Sequence, residues 1–197
     1  MAARVLFDVE VVEQDAVQDP HVVRLMAQAA HVASLGFTPS YGPGDHGNFS
    51  CRTTTGLIIT ARETVKVTLR PEHFVEVDGV DDTKTPALVH CRGQRLPSTD
   101  TLLHWRIYHA RPEIGAILHG HDPLTLAHAA ALQLPMTTQS ALTQTLELVE
   151  ETVRLTTLHD YVLLRDHGFL ALGTSIEEAG QLIDAWAQRA RTLSVGA

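Results

Sequence analysis

Three stretches of the chain place apolar residues at helical spacing. Val22, Val23, Leu25, Met26, Ala29, Ala30, Val32 and Ala33 form a broad stripe, which predicts a helix. Asp19 stands at its cap, Pro20 at its first position, and Gly36 ends it. Leu103, Ile107 and Ala110 mark a second helix, opened by Pro97-Ser98-Thr99-Asp100 and stopped by Pro112. Ser98 or Thr99 caps it, and Asp100 falls in its first turn, where the helix dipole favours an anion. Leu146, Val149, Val153 and Leu155 mark a third, over 143–158. Two more helices are predicted from their starts. Asp122-Pro123 opens one over 122–132, and the capping-box-like Thr174-Ser175-Ile176-Glu177-Glu178 opens one over 175–191.

Between the helices lie short apolar runs. They predict strands at 49–52, 57–60, 74–78, 87–91 and 115–118, and a hairpin of 161–164 with 169–172 around Arg165-Asp166-His167-Gly168. Asp78-Gly79 reads as a turn. Residues 65–69 read as extended, most of 80–96 as polar and irregular, and 1–19 as a loosely held acidic arm. Strands and helices do not strictly alternate. The pattern therefore predicts an α/β fold with a mixed, mostly antiparallel sheet between helix layers.

Composition narrows this picture. The 197 residues, with 44% hydrophobic and 19% charged, suit a single domain over 1–197. A formal net charge of −8 offers no basic field for nucleic acid. No run approaches the apolar length of a membrane span, and the N-terminus has no signal-peptide core. Cys51 and Cys91 lie far apart, outside any CxxC pattern. They read as reduced thiols of a cytoplasmic protein. The 12 histidines make a metal site worth seeking.

His119 and His121 end the apolar run Ala116-Ile117-Leu118. On a strand, residues two apart share a face, so both imidazoles are placed to share one metal ion. Two surface histidines on a polar turn would read the same way. His167, in the hairpin turn, can supply a third ligand from a rigid strand end, leaving a position open for water or substrate; a turn histidine hydrogen-bonded to Asp166 would read the same way. The loop Tyr41-Gly-Pro-Gly-Asp-His-Gly47 carries three glycines in six residues. Such a loop lets backbone N–H groups approach a ligand, and Asn48 and Ser50 add side-chain groups beside it.

Six ordered motifs then carry a resemblance. They are Gly47-Asn48-Phe49-Ser50, Ile59-Thr60, Pro97-Ser98-Thr99-Asp100, His104-x-x-Ile107-Tyr108-x-x-Arg111-Pro112, Ala116-x-x-His119-x-His121 and Asp166-His167-Gly168. Together they resemble the class II aldolase/adducin family from about residue 20 to 185. The resemblance implies an α/β/α sandwich and a homotetramer with active sites between subunits. It implies zinc, or another divalent metal such as Mn, Co or Mg, on His119, His121 and His167. Asp100 stands where the sugar-phosphate aldolases have a glutamate acting as general base. Asn48, Ser50, Thr60, Ser98 and Thr99 are the implied substrate-binding positions; Arg62, where the chain departs from the family pattern, is a further candidate. The expected partner is a small carbonyl compound, cleaved in aldol fashion through a metal-stabilised enediolate. Epimerisation, dehydration and decarboxylation use the same intermediate, and an adducin-like interaction domain without catalysis is the rival reading.

Three departures from the family pattern bear on the substrate. Asp100 is one methylene shorter than glutamate. Ala61-Arg62-Glu63 replaces the Ser-Gly pair of phosphate-binding members, so Arg62 is a candidate for a bidentate carboxylate contact, as in a hydroxy-2-oxo acid. No tyrosine lies between 109 and 160 or after Tyr161, which leaves water, His128 or another group as proton donor.

Overall fold

The computed structural model describes residues 6–142 and 144–195. Its centre is one nine-stranded sheet in the order β1-β5-β4-β3-β2-β6-β9-β8-β7. The strands are β1 (Phe7–Glu13), β2 (Asn48–Arg52), β3 (Leu57–Thr60), β4 (Phe74–Asp81), β5 (Ala87–Arg92), β6 (Ala116–Gly120), β7 (Met136–Ser140), β8 (Tyr161–Arg165) and β9 (Gly168–Gly173). Only the two outermost pairs, β1 with β5 and β7 with β8, run parallel; the pairs between them are antiparallel. The helices are α1 (Pro20–Ser34), α2 (Thr101–Ala110), α3 (Pro123–Ala127), α4 (Leu146–Thr156) and α5 (Ile176–Val195).

Alternation along the strands builds two cores. Phe49, Ile58, Leu118, Phe169 and Ala171 face one way and meet Leu25, Ala29, Ile183 and Ala187 of α1 and α5. Leu57, Ile59, Ile117, Leu170 and Leu172 face the other way and meet Leu102, Ile107, Leu148 and Val149 of α2 and α4. Central strands buried on both faces read as continuous apolar runs, which is why Leu57–Ile59 and Ala116–Leu118 stood out in the sequence. The result is the expected α/β/α sandwich with a mixed, mostly antiparallel sheet.

Several elements differ from expectation. Residues 1–5 of the expected arm lie outside the described residues, but Phe7–Glu13 is a paired edge strand. Its Phe7-x-Val9-x-Val11 alternation, running parallel to Ala87–Arg92, holds it. The Asp78-Gly79 turn is a register shift inside β4, which continues to Asp81. Residues 66–68 form a 3-10 turn, with the Lys66 backbone N–H donating to Asp45 Oδ2 at 2.8 Å. The expected helix over 122–132 stops as regular α-helix at Ala127, and the following turns end at Gln133, whose φ is +54°. β7 went unread because Thr137, Thr138, Gln139 and Ser140 are polar. An edge strand half open to solvent needs no apolar alternation. The expected start of α4 at residue 143 lies outside the described residues. From Leu146 the helix is capped by Thr145, whose Oγ1 accepts from Leu148 N at 3.2 Å.

Candidate active site and metal centre

Two ladders of side chains assemble the site. Asn48 and Ser50 share one face of β2, two residues apart. Asp100, His104 and Tyr108 share one face at the start and along α2, four residues apart. The steps nearly match, at roughly 6.7 Å for two strand residues and roughly 6 Å for four helical ones. Ser50 Oγ lies 2.8 Å from His104 Nδ1 and 2.8 Å from Tyr108 Oη. One rung further along, Asn48 Nδ2 donates to Asp100 Oδ2 at 2.5 Å. Arg52 closes the far end, donating to the carbonyls of Tyr108, Arg111 and Ile114 at the end of α2. Helix and strand are thus docked in one register, and that register sets where Asp100 stands.

β6 lies on the other side of β2, with Asn48 directly opposite His119. Gly47, at φ +85°, makes that approach possible, since a Cβ there would sit 2.6 Å from the His119 carbonyl oxygen. His121 follows past the strand end, its N–H donating to Phe37 O at 2.8 Å. Asp122 fixes the next turn by accepting from Leu124 N at 3.0 Å and Thr125 N at 3.2 Å. The β8–β9 turn, with Asp166 at φ +61°, brings in His167.

His119, His121 and His167 converge so that one ring nitrogen from each lies within 4.8 Å of the others. The His119 and His167 rings stack at 5.1 Å with their Nε2 atoms 3.2 Å apart. His119 Nδ1 is 2.7 Å from the Phe169 carbonyl oxygen. That contact requires Nδ1–H, so His119 Nε2 carries a lone pair. A proton or a cation must lie between His119 Nε2 and His167 Nε2. His121 Nε2 is buried with no hydrogen-bond partner. Burial holds His119 well below the ordinary histidine range, pushes His121 down to about 2 and lowers His167. Neutral imidazoles with inward lone pairs are the form that binds metal. The donor set therefore fits a divalent cation such as zinc, with no carboxylate in the cluster.

Asp100 is the N-cap residue of α2, yet its carboxylate makes no cap hydrogen bond. Ser98 Oγ accepts from Asp100 N at 3.2 Å. Contrary to expectation, neither Ser98 nor Thr99 caps α2 and Asp100 is not in its first turn, because the helix begins only at Thr101 and Ser98 closes the turn before it. Asp100 is instead held by Asn48 on one oxygen and by Gln144 Nε2 on the other. Ser98 is buried and Thr99 half-buried beside it. The hydroxyls of Ser50 and Thr60 are engaged inside the protein, Thr60 Oγ1 accepting from Phe49 N at 3.1 Å. Both side chains are fully buried, and they position β2 behind the site. Arg62 Nε donates to Pro97 O at 2.7 Å, and its guanidinium lies 5.7 Å from the Phe7 ring centre. It braces the segment leading into Ser98. His128 lies 2.8 Å from Ser194 at the α3–α5 contact, and Tyr161 packs on Phe169 and Trp186 in the core of the α1–α5 face.

Two residues were missed in the sequence. The His46 ring centre lies 4.7 Å from that of His121, tilted by 31°, with Tyr41 4.8 Å beyond it. The signal for His46 was its place in the glycine loop. Gln144 lies between β7 and α4 with no pattern around it.

A family model, Class II Aldolase and Adducin N-terminal domain, matches residues 24–193. The chain belongs to that family. Methylthioribulose-1-phosphate dehydratase of Methylococcus capsulatus is 30% identical over 171 residues, covering 73% of this chain and 79% of that protein. L-fuculose phosphate aldolase of Haemophilus influenzae is 31% identical over 91 residues, covering 46% of this chain and 37% of that protein. Among solved structures, L-fuculose-1-phosphate aldolase of Thermus thermophilus superposes with a TM-score of 0.68 at 21% identity, covering 89% of this chain and 94% of that one. A sugar-phosphate aldolase of Thermotoga maritima gives 0.72 at 17% identity, covering 89% and 96%. At those identities the structural likeness is one of fold. As a member of the class II aldolase family with aldolase and dehydratase relatives, the chain is an enzyme of the lyase type.

Proposed function

We propose that this class II aldolase-family protein is a zinc-dependent lyase acting on a small hydroxy-carbonyl compound, with His119, His121 and His167 holding the metal and Asp100 as general base. The observation that carries the reading is the convergence of three neutral imidazoles beside a carboxylate that stays outside their cluster. A bound divalent ion there supplies Lewis-acid polarisation of the substrate's carbonyl oxygen. Asp100 removes the proton from substrate carbon or hydroxyl, and its fixed carboxylate needs no reorganisation to do so. Asn48, Ser98 and Thr99 line the approach to Asp100 and orient the substrate.

Retro-aldol cleavage and dehydration begin with related proton removals, and the relatives named above include both. We place the chain with the sugar-phosphate lyases, acting in the cytoplasm as a homotetramer whose neighbouring subunit completes the site. The rival substrate, a hydroxy-2-oxo acid, has Arg62 in its favour. A guanidinium at the loop before Ser98 suits a carboxylate, although its Nε is already engaged by Pro97.

Kinetics separate these readings. The zinc-loaded protein should consume 5-methylthioribulose 1-phosphate or L-fuculose 1-phosphate faster than a 4-hydroxy-2-oxo acid, lose turnover with a chelator and regain it with zinc. Faster cleavage of the oxo acid, with Arg62→Lys raising KM, would move the assignment to the carboxylate substrate. Turnover insensitive to chelation would overturn the metal mechanism.

A further inference from the structure

Asp100 is gripped by two side-chain amides, one on each oxygen. Asn48 Nδ2 donates to Oδ2, and Gln144 Nε2 donates to Oδ1. An ionised carboxylate only accepts, so each amide must turn its NH2 toward it and its oxygen away. Both oxygens, Asn48 Oδ1 and Gln144 Oε1, are buried with no hydrogen-bond partner. A buried acceptor without a donor is costly, and two such acceptors flanking one carboxylate call for an explanation. A substrate carrying hydroxyl groups supplies the missing donors.

Gln144 has the better-defined scaffold of a placed residue than its loop position suggests. The next residue, Thr145, caps α4, and α4 packs against α2 in the core on that face. Gln144 is thus anchored beside α4, which packs on α2, the helix whose N-cap is Asp100. The carboxylate, being shorter than a glutamate, reaches less far from its own backbone and depends more on what holds its end.

We propose that Gln144 is a positioning and specificity residue of this site: its Nε2 fixes Asp100 for proton transfer, and its Oε1 accepts a hydroxyl of the substrate. The inference rests on the proposed lyase reading. It extends that reading to a residue outside the metal and base set, and to a substrate bearing a hydroxyl group within reach of the base.

The test compares wild type, Gln144→Met, Asp100→Asn and the double variant, all loaded with zinc. Methionine keeps the length and removes both hydrogen bonds; Gln144→Ala replaces it if the first variant folds poorly. Metal content and melting temperature should match wild type. Turnover of 5-methylthioribulose 1-phosphate or L-fuculose 1-phosphate should fall about 10- to 100-fold and KM should rise about tenfold. In the Asp100→Asn background the kcat loss should vanish, because there is no base left to position, while the KM rise should persist. Affinity for dihydroxyacetone phosphate, read by calorimetry, should fall with KM, and crystals of Gln144→Met should show the Asp100 carboxylate turned from its present place. Unchanged kinetics with Asp100 unmoved, or kcat losses that simply multiply in the double variant, would overturn the proposal. A wild type that binds zinc yet turns over neither sugar phosphate nor a 4-hydroxy-2-oxo acid defeats the lyase reading instead. The Asp100 position and the dihydroxyacetone phosphate affinity would still decide the role of Gln144.

Discussion

Asp100 shows how much a single side chain's role depends on what surrounds it. At a helix start an aspartate ordinarily caps, and by sequence Asp100 is a first-turn anion standing where the sugar-phosphate aldolases have a glutamate base. Here it makes no cap bond and is held by two amides outside the histidine cluster. Asp100→Asn keeps the shape and removes the base. Its turnover should drop roughly 10²-fold or more, with metal content unchanged. Near-normal turnover would reduce Asp100 to a structural residue. The three histidines, Asn48 and Asp100 were legible because strand ends, glycine turns and ordered motifs mark them. Gln144 was not, because its contact is made by tertiary packing of a loop with no periodicity. Ser50 and Thr60 were legible as residues near the site, but burial assigns their hydroxyls to the scaffold, and sequence alone does not give burial.

Among the elements, the segment 61–66 that anchors the glycine loop holds a buried cation. Lys66 Nζ donates to Asp45 O at 3.0 Å, Thr64 O at 2.9 Å and Thr64 Oγ1 at 3.2 Å. Burial pushes its pKa down to about 8. The folded state therefore releases this proton before the unfolded state does. Below about pH 8 both states are protonated and the penalty is fully present. As pH rises from about 8 towards the unfolded value near 10.5, the unfolded state binds more protons and this group's contribution to stability increases. The relief is on the order of 3 kcal/mol at most, at about 1.4 kcal/mol per unit. Denaturant unfolding at pH 7.5 and pH 10 should show that gain relative to Lys66→Met, in which this component is absent. Equal pH dependence in the two proteins would show that Lys66 is solvated. The elements themselves were read best where they lie in the middle of the sheet. The edge strands escaped: β7 for lack of apolar residues, and β1 because its alternation sat in an acidic context.

For the whole molecule, the sheet order places β2, β6 and β9 at the centre, and His119, His121, His167 and Asp100 gather at that centre. No helix among the described residues is long and apolar enough to cross a membrane. The net charge of −8 is consistent with a small-molecule enzyme rather than a nucleic-acid binder. The three-layer class was legible from the order of periodicities. Assembly was not, since nothing in a single chain's pattern separates a subunit interface from a solvated face. Light scattering at micromolar concentration should give four chains per particle. A monomer that is fully active would remove the neighbouring subunit from the site.

The most direct test of the account is the metal content of purified wild type beside His121→Ala, measured by elemental analysis after dialysis against zinc. His121 contributes a buried Nε2 with no partner in the protein, so its loss removes a ligand while leaving the His119–Phe169 contact intact. Wild type should hold one divalent ion per chain, and the variant should lose at least about tenfold in affinity. Stoichiometric metal held equally by both proteins, or none held by either, would contradict the metal assignment.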